Sequence, residues 1–183
     1  MTIITNALNN SKPNFADMDT TLSEIKSYVE TSAGKGTPTH VVEKQLFNQV
    51  LQLGKQALQY FFSSQGDGDV GEKITMETGE TYKRLSPRNR FYQSLFGRFQ
   101  LTRTVYGTHE SKKIEFIPLD ARLQLPPAEH SYILQEWSQV IAVEVPFRKT
   151  MDLLCDIFPI TMSVDTLEQT SRACEEYIES YRE

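Results

Sequence analysis

One stretch of this chain carries the side chains best suited to binding phosphate. Residues 81–109 include no Asp or Glu, although the chain as a whole has a net charge of −5. Guanidinium and ammonium groups pair with phosphate oxygens, and the aromatic residues of the same stretch add flat surface for packing. We therefore take its six basic residues as candidate nucleic-acid contacts: Lys83, Arg84, Arg88, Arg90, Arg98 and Arg103.

The rest of the chain, outside this basic stretch, is acidic. Its six positive charges leave −11 for all other residues of a chain whose total is −5. This asymmetry argues against a general nucleic-acid coat and favours a local contact surface. Two interpretations stay open at this point: contact with DNA or RNA, and a basic strand face that serves only solvation.

A second candidate is a pair of predicted helices over 146–158 and 163–181, joined by a short turn, which has the size of a helix-turn-helix. The second helix would offer Thr166, Gln169 and Arg172 to base edges. The same helix is rich in Glu, which a duplex repels. An αα-hairpin used for packing or dimerisation is therefore at least as well supported.

The residues that usually carry catalysis or bind metal are poorly arranged. The three histidines lack metal-ligand spacing, and no nucleophile motif is present. The segment GDGDVGE, with Asp67 and Asp69, superficially resembles a phosphate or cation loop, but a flexible turn fits better. Cys155 and Cys174 are predicted to be buried thiols. The sequence thus predicts no enzyme activity, no cofactor and no metal.

The elements that position these residues predict an α+β fold. A tail over 1–15 precedes an N-terminal helical region over 16–72, with helices expected over 17–31 and 39–63. A basic β-region follows over 82–127, with a small antiparallel meander at about 91–119. A C-terminal region over 128–183 carries three helices, at 129–143, 146–158 and 163–181, the last capped by Ser163.

Strand alternation makes one arginine of the β-region unusual. Period-two alternation over 98–106 places Arg103 on the same face as the apolar Phe99, Leu101 and Val105. An arginine on an apolar face either stacks at the end of the sheet or reaches a phosphate, and both alternatives stay open.

The general composition is that of a globular protein, with 39% hydrophobic residues. No apolar run approaches the roughly 18 residues of a membrane span, and the first residues do not form a secretory signal. We expect a cytoplasmic protein without membrane contact.

Several long segments together resemble one family. GDGDVGE, YQSLFGRFQLTRTVYGT, KIEFIPLDARLQLP, SYILQEWSQVIAVEVPF and SVDTLEQ are similar to the N-terminal half of the ISKra group of insertion-sequence transposases, of the cyanobacterial type. The resemblance spans about residues 46–181. It implies that the basic β-region, the helix-turn-helix or both recognise the terminal repeats of the transposon. Full-length members resemble RNase H-type enzymes whose three acidic residues bind two metal ions, and those acids lie beyond the matched region.

The resemblance also bears on metal binding and on the end of the chain. Related groups carry cysteine pairs around the turn that precedes the PLD segment, which implies a zinc ribbon, whereas here that turn is residues 107–111 without cysteine. A ribbon would then depend on apolar packing. The chain ends inside a helical pattern, so we expect a truncated transposase: a decayed copy, the first of two frames, or a retained binding module.

The leading hypothesis is therefore a DNA-binding transposase fragment without strand-transfer activity, whose partners are terminal repeats and either a second copy or an intact transposase. The alternatives are a non-functional remnant and an oligomerisation module that uses the acidic last helix and the helix over 42–62.

Overall fold

The computed structural model describes residues 15–108 and 113–179, except the side chains of 170 and 173–179. The regular elements of these residues are helices and antiparallel strands, so the α+β class is confirmed. The chain divides into two compact units, Met1–Gly66 and Asp67–Glu183. The first unit thus ends at Gly66, where the sequence suggested a helical region to residue 72. The β-region and the C-terminal helices both belong to the second unit. Most of the predicted tail lies outside the described residues.

The first unit is a hairpin of two helices, α1 (Ala16–Lys35) and α2 (Thr39–Gln65). Gly36 ends α1 in the left-handed conformation, with φ 62°, which glycine adopts without steric cost. Pro38 occupies the N-cap position of α2, where a residue without an N–H leaves no donor unsatisfied. Both predicted helices are confirmed, and each extends a few residues beyond its expected bounds.

The strands of the second unit form two sheets rather than one meander. The larger sheet is antiparallel with the order β1-β2-β5-β6, and the smaller pairs β3 with β4. Their bounds are β1 (Lys73–Thr75), β2 (Thr81–Arg84), β3 (Arg88–Ser94), β4 (Gly97–Arg103), β5 (Tyr106–Thr108) and β6 (Lys113–Phe116). The meander predicted at 91–119 therefore missed β1 and β2, because these short polar strands are defined by pairing with distant strands rather than by alternation.

The predicted alternation is confirmed along β4, where Phe99 and Leu101 are buried and Arg98 is exposed. It is wrong beyond Arg103, because residues 104–106 are all buried. The chain leaves the smaller sheet at Thr104 and joins the larger one at Tyr106.

The GDGDVGE segment explains this change of sheet. Asp67 accepts a hydrogen bond from the Thr104 hydroxyl at 3.0 Å, and its carbonyl accepts one from the Thr104 amide at 2.8 Å. The Tyr106 hydroxyl lies 3.1 Å from the Asp69 carboxylate and 2.8 Å from the Gly71 carbonyl oxygen. Residues 66–72 form no helix or strand, as predicted for a turn, and these hydrogen bonds clamp the segment to Thr104 and Tyr106.

The rest of the second unit is helical. After α3 (Pro118–Leu123), helices α4 (Tyr132–Glu144), α5 (Phe147–Ile157) and α6 (Val164–Glu179) contact one another around a shared core. That core contains Leu134, Leu154 and Ile160, and Leu167 of α6 is also fully buried. The three predicted helices are confirmed over the described part of the chain. Residues 180–183 lie outside it.

Two details of these helices were also predicted. The Ser163 hydroxyl accepts a hydrogen bond from the Thr166 amide at 3.1 Å, which confirms Ser163 as the cap of α6. Cys155, in contrast, is exposed on α5, so its assignment as a buried thiol was wrong. The side chain of Cys174 lies outside the described set. No helix among the described residues is long and apolar enough to cross a membrane.

Candidate nucleic-acid interface

Two of the six basic candidates, Arg90 and Arg103, are largely buried inside the second unit. Arg90 and Arg103 both donate to the same Asp120 carboxylate oxygen, at 3.1 and 2.5 Å. Only 9% of the Arg90 side chain, 12% of the Arg103 side chain and 20% of the Asp120 side chain are exposed. Arg90 also donates to the backbone carbonyl oxygens of Pro126 and Ala128.

This cluster resolves the question of the arginine on the apolar face. Arg103 lies across β3 and β4 from Arg88 in register, and its guanidinium turns inward to Asp120. A buried charge is tolerated only when it is paired, and Asp120 supplies the pair. Arg90 and Arg103 therefore hold the smaller sheet to α3, and the structure does not place them on an exposed face.

Other basic residues are exposed on the larger sheet and at the start of β3. Lys83 on β2 is directly opposite Lys73 on β1, so their side chains share one face of the sheet. Lys73, Lys83 and Arg84, together with Glu72, line an open groove. Arg84 pairs with Asp69 at 2.5 Å. Lys73, Lys83 and Arg88 are exposed and have no ion-pair partner within the described residues.

The carboxylate beside this groove is held in its ionised form. A hydrogen bond from the Gly71 amide, followed by those from the Tyr106 hydroxyl and the Arg84 guanidinium, lowers the pKa of Asp69, although desolvation opposes them. The Arg84 charge is thus partly neutralised, which leaves Lys73 and Lys83 as the stronger positive charges of this groove.

The sixth candidate, Arg98, occupies the exposed face of the smaller sheet. Its guanidinium carbon lies 3.7 Å from the centroid of the Phe91 ring, and Phe91 is 40% exposed. Glu129 approaches Arg98 at 3.4 Å, but both side chains are more than half exposed, so water screens this pair. A guanidinium stacked on an exposed aromatic ring offers both charge and a flat surface to a ligand.

The three candidate residues of α6 differ in their exposure to solvent. Gln169 and Arg172 are exposed, and Arg172 approaches Glu168 only at 3.8 Å. The Thr166 hydroxyl lies 2.8 Å from that of Ser163, within the helix cap. Of the three predicted base-contacting side chains, two point to solvent and the third is engaged in capping.

The structure also reveals basic residues that the sequence argument missed. Lys73 lies outside the acid-free stretch and follows Glu72, so only the strand pairing joins it to Lys83. Arg148 and Lys149 are exposed in the first turn of α5, the helix that would cross the phosphate backbone in a helix-turn-helix. Their position at the start of a predicted helix could have marked them as further candidates.

No group of side chains among the described residues could hold a metal ion. Asp67 and Asp69 are satisfied by hydrogen bonds, as described above. In the turn compared with a zinc ribbon, residues 109–111, including His109, lie outside the described part of the chain.

Comparisons with protein-family models, with curated proteins and with solved structures find no match to this chain.

Proposed function

We propose that this chain binds duplex DNA, as the end-recognising part of an insertion-sequence transposase, and has no strand-transfer activity of its own. The observation that carries the proposal is the exposure of four basic side chains, Lys73, Lys83 and Arg84 along the groove of the larger sheet and Arg88 at the start of β3. The resemblance to the ISKra group supplies the biological setting, and the charge geometry supports the chemistry.

The smaller sheet supplies a further candidate contact for DNA on its exposed face. Arg98 adds a further cation, and its stacking on Phe91 restricts the guanidinium to a position above the ring. Counting these residues gives about four or five phosphate contacts, and a slope of about −4 for log affinity against log salt. Such binding is of modest affinity and is lost quickly as salt rises.

In this proposal the helices contribute sequence preference rather than affinity. Gln and Arg side chains can donate to purine edges in the major groove. Gln169 and Arg172 present these groups on α6, whereas Arg148 and Lys149 on α5 supply phosphate contacts. The neighbouring Glu168 limits how much of the free energy of binding α6 can provide.

Fluorescence anisotropy with a labelled duplex tests the proposal. One duplex carries the terminal repeats of the element and the other has the same composition in scrambled order, and affinity is measured over a salt series. We expect Lys83→Ala with Arg88→Ala to weaken binding to both duplexes and to reduce the salt slope by about two. The matched control is Lys44→Ala with Lys55→Ala, which removes the same charge from exposed positions of α2.

Further measurements test the base contacts, the DNA-binding surface and the absence of catalysis separately. Gln169→Ala with Arg172→Ala should narrow the difference between the two duplexes, because base contacts carry the preference. Binding that is independent of salt, or equal weakening by the control pair, would overturn the DNA surface. Nicking of the duplex by this chain with Mg²⁺ would overturn the absence of catalysis.

A further inference from the structure

The hairpin of the first unit leaves several large apolar side chains exposed to solvent. Along α1 the residues that face α2 include Thr21 and Ser32, which are buried, and the facing residues of α2 include Gln49 and Gln56. The side-chain oxygens of both glutamines are buried without a hydrogen-bond partner among the described residues. These polar groups reduce the apolar area that the hairpin buries, and a hairpin of two helices is marginally stable by itself.

A second apolar stripe lies beside this seam on each helix. On α1 it repeats every seven residues, and on α2 it follows intervals of three and four, which keep side chains on one side of a helix. Its large members are each more than 40% exposed: Phe15, Leu22, Val29, Phe47, Val50 and Phe61. Gly54 and Ala57 continue the stripe on α2.

The two stripes lie on the same side of the hairpin. The Phe15 and Tyr60 rings stack with centroids 4.0 Å apart, which fixes the relative level of the antiparallel helices. Leu22 follows Phe15 by seven residues on α1, and Leu53 precedes Tyr60 by seven residues on α2. Because the helices are antiparallel, Leu22 lies level with Leu53 and with its neighbour Gly54. The opposite side of α2 is polar, with Gln45, Gln52 and Gln59 all exposed.

This apolar face is self-complementary about the level of Leu22 and Gly54. Phe15 and Val29 are each seven residues from Leu22, and Phe47 and Phe61 are each seven residues from Gly54. A two-fold axis that runs across both helices at this level would place Phe15 against Val29 of a second copy. The same axis would place Phe47 against Phe61 of that copy. Because Leu22 and Gly54 are level within one residue, one axis serves both helices.

The charges beside the stripe follow the same symmetry. Asp19 lies three residues before Leu22 and Lys26 lies four residues after it, and both are exposed. The two-fold axis would place Asp19 of one copy beside Lys26 of the other, with opposite signs at both ends of the contact. Nothing in a single chain requires this arrangement, because residues seven apart on a helix do not pair.

We infer that the hairpins of two copies of this chain pack face to face into an antiparallel four-helix bundle, with the two-fold axis between Leu22 and Gly54. A 20-residue helix is about 30 Å long, and two helices side by side are about 20 Å wide. The resulting footprint of about 600 Å² approaches the roughly 800 Å² per partner of a standard stable interface. Gly54 at the axis permits close approach of the two copies of α2.

Light scattering during size exclusion of the full chain without DNA tests this dimer independently of DNA binding. We expect a mass of two chains of 21.0 kDa each. Leu22→Glu should give a single chain, whereas Ser27→Glu, which adds the same charge on a solvent-facing position of α1, should leave the dimer intact. Far-UV circular dichroism of both variants checks that the helices still form.

Charge reversal distinguishes this symmetry from other modes of association. Asp19→Lys should weaken dimerisation by about tenfold, since two attractive pairs become repulsive, and adding Lys26→Asp should restore it. Asp17→Lys is the control, because it reverses the same charge in the same turn away from the stripe. A chain that is monomeric at all concentrations, or a double reversal that fails to restore the dimer, would overturn the inference.

Discussion

Removing the carboxylate that Arg90 and Arg103 share should destabilise the second unit more than any surface substitution. The change is Asp120→Ala, which leaves two guanidinium groups without their counter-ion. Arg90 keeps its bonds to the carbonyls of Pro126 and Ala128, but these groups carry no charge. The remaining positive charges would then be held in a largely buried place without compensation.

The expected size follows from the burial of the three side chains. With 9 to 20% of each exposed, the cluster resembles a buried ion pair, for which loss of one partner costs about 3–5 kcal/mol. The cluster is not fully satisfied, because Asp120 Oδ1 and Arg103 Nε are buried without a hydrogen-bond partner among the described residues. We therefore expect the lower half of this range, about 3–4 kcal/mol.

Urea unfolding followed by the fluorescence of Trp137, the single tryptophan, measures the effect within the same unit. Asp152→Ala on the exposed side of α5 is the control and should change the free energy of unfolding by less than about 0.5 kcal/mol. In the Asp120→Ala background, Arg103→Leu should recover stability, because it removes an uncompensated charge. A cost below about 1 kcal/mol, or further loss on adding Arg103→Leu, would refute this reasoning.

Two further predictions concern the second unit and the linker before it. Gly68 has φ +80°, and a Cβ there would lie 2.9 Å from the Leu119 amide nitrogen, so Gly68→Ala should cost about 2–3 kcal/mol in urea unfolding. Gly66→Ala, with φ +68° and open space around it, should cost only about 1 kcal/mol, and equal costs would contradict the steric argument. Burial lowers the pKa of His130 below its ordinary 6.5, with Glu129 opposing and Arg98 assisting. Stability from neutral His130 should thus be present above pH 6.5 and be lost as the pH falls through the lowered pKa. His130→Phe should flatten this loss in acid unfolding curves, whereas parallel curves for the two proteins would contradict it.

The helices were predictable because their signals are local. Apolar residues at intervals of three and four predicted α2 and the three C-terminal helices, and the hydroxyl of Ser163 marked the start of α6. These patterns concern residues within one or two turns of each other. Their bounds therefore agree with the structure to within a few residues.

The identity of the exposed cations was not predictable in the same way. All six basic residues of the acid-free stretch are equivalent in composition, yet Arg90 and Arg103 turn inward because Asp120 lies 30 and 17 residues further along the chain. Lys73 joins the surface only because β1 pairs with β2. Strand alternation identified Arg103 as unusual but could not name its partner.

The amino-acid sequence by itself determined the charge asymmetry, the helical segments and the α+β class, since each depends on composition or on neighbours along the chain. Tertiary structure alone decided that the GDGDVGE segment clamps Thr104 and Tyr106, and which cations remain exposed. It also placed the stripes of α1 and α2 on one side of their hairpin. The physical reason is the same in each case: ion pairs and strand pairing join residues far apart in sequence, and burial selects among side chains that are chemically alike.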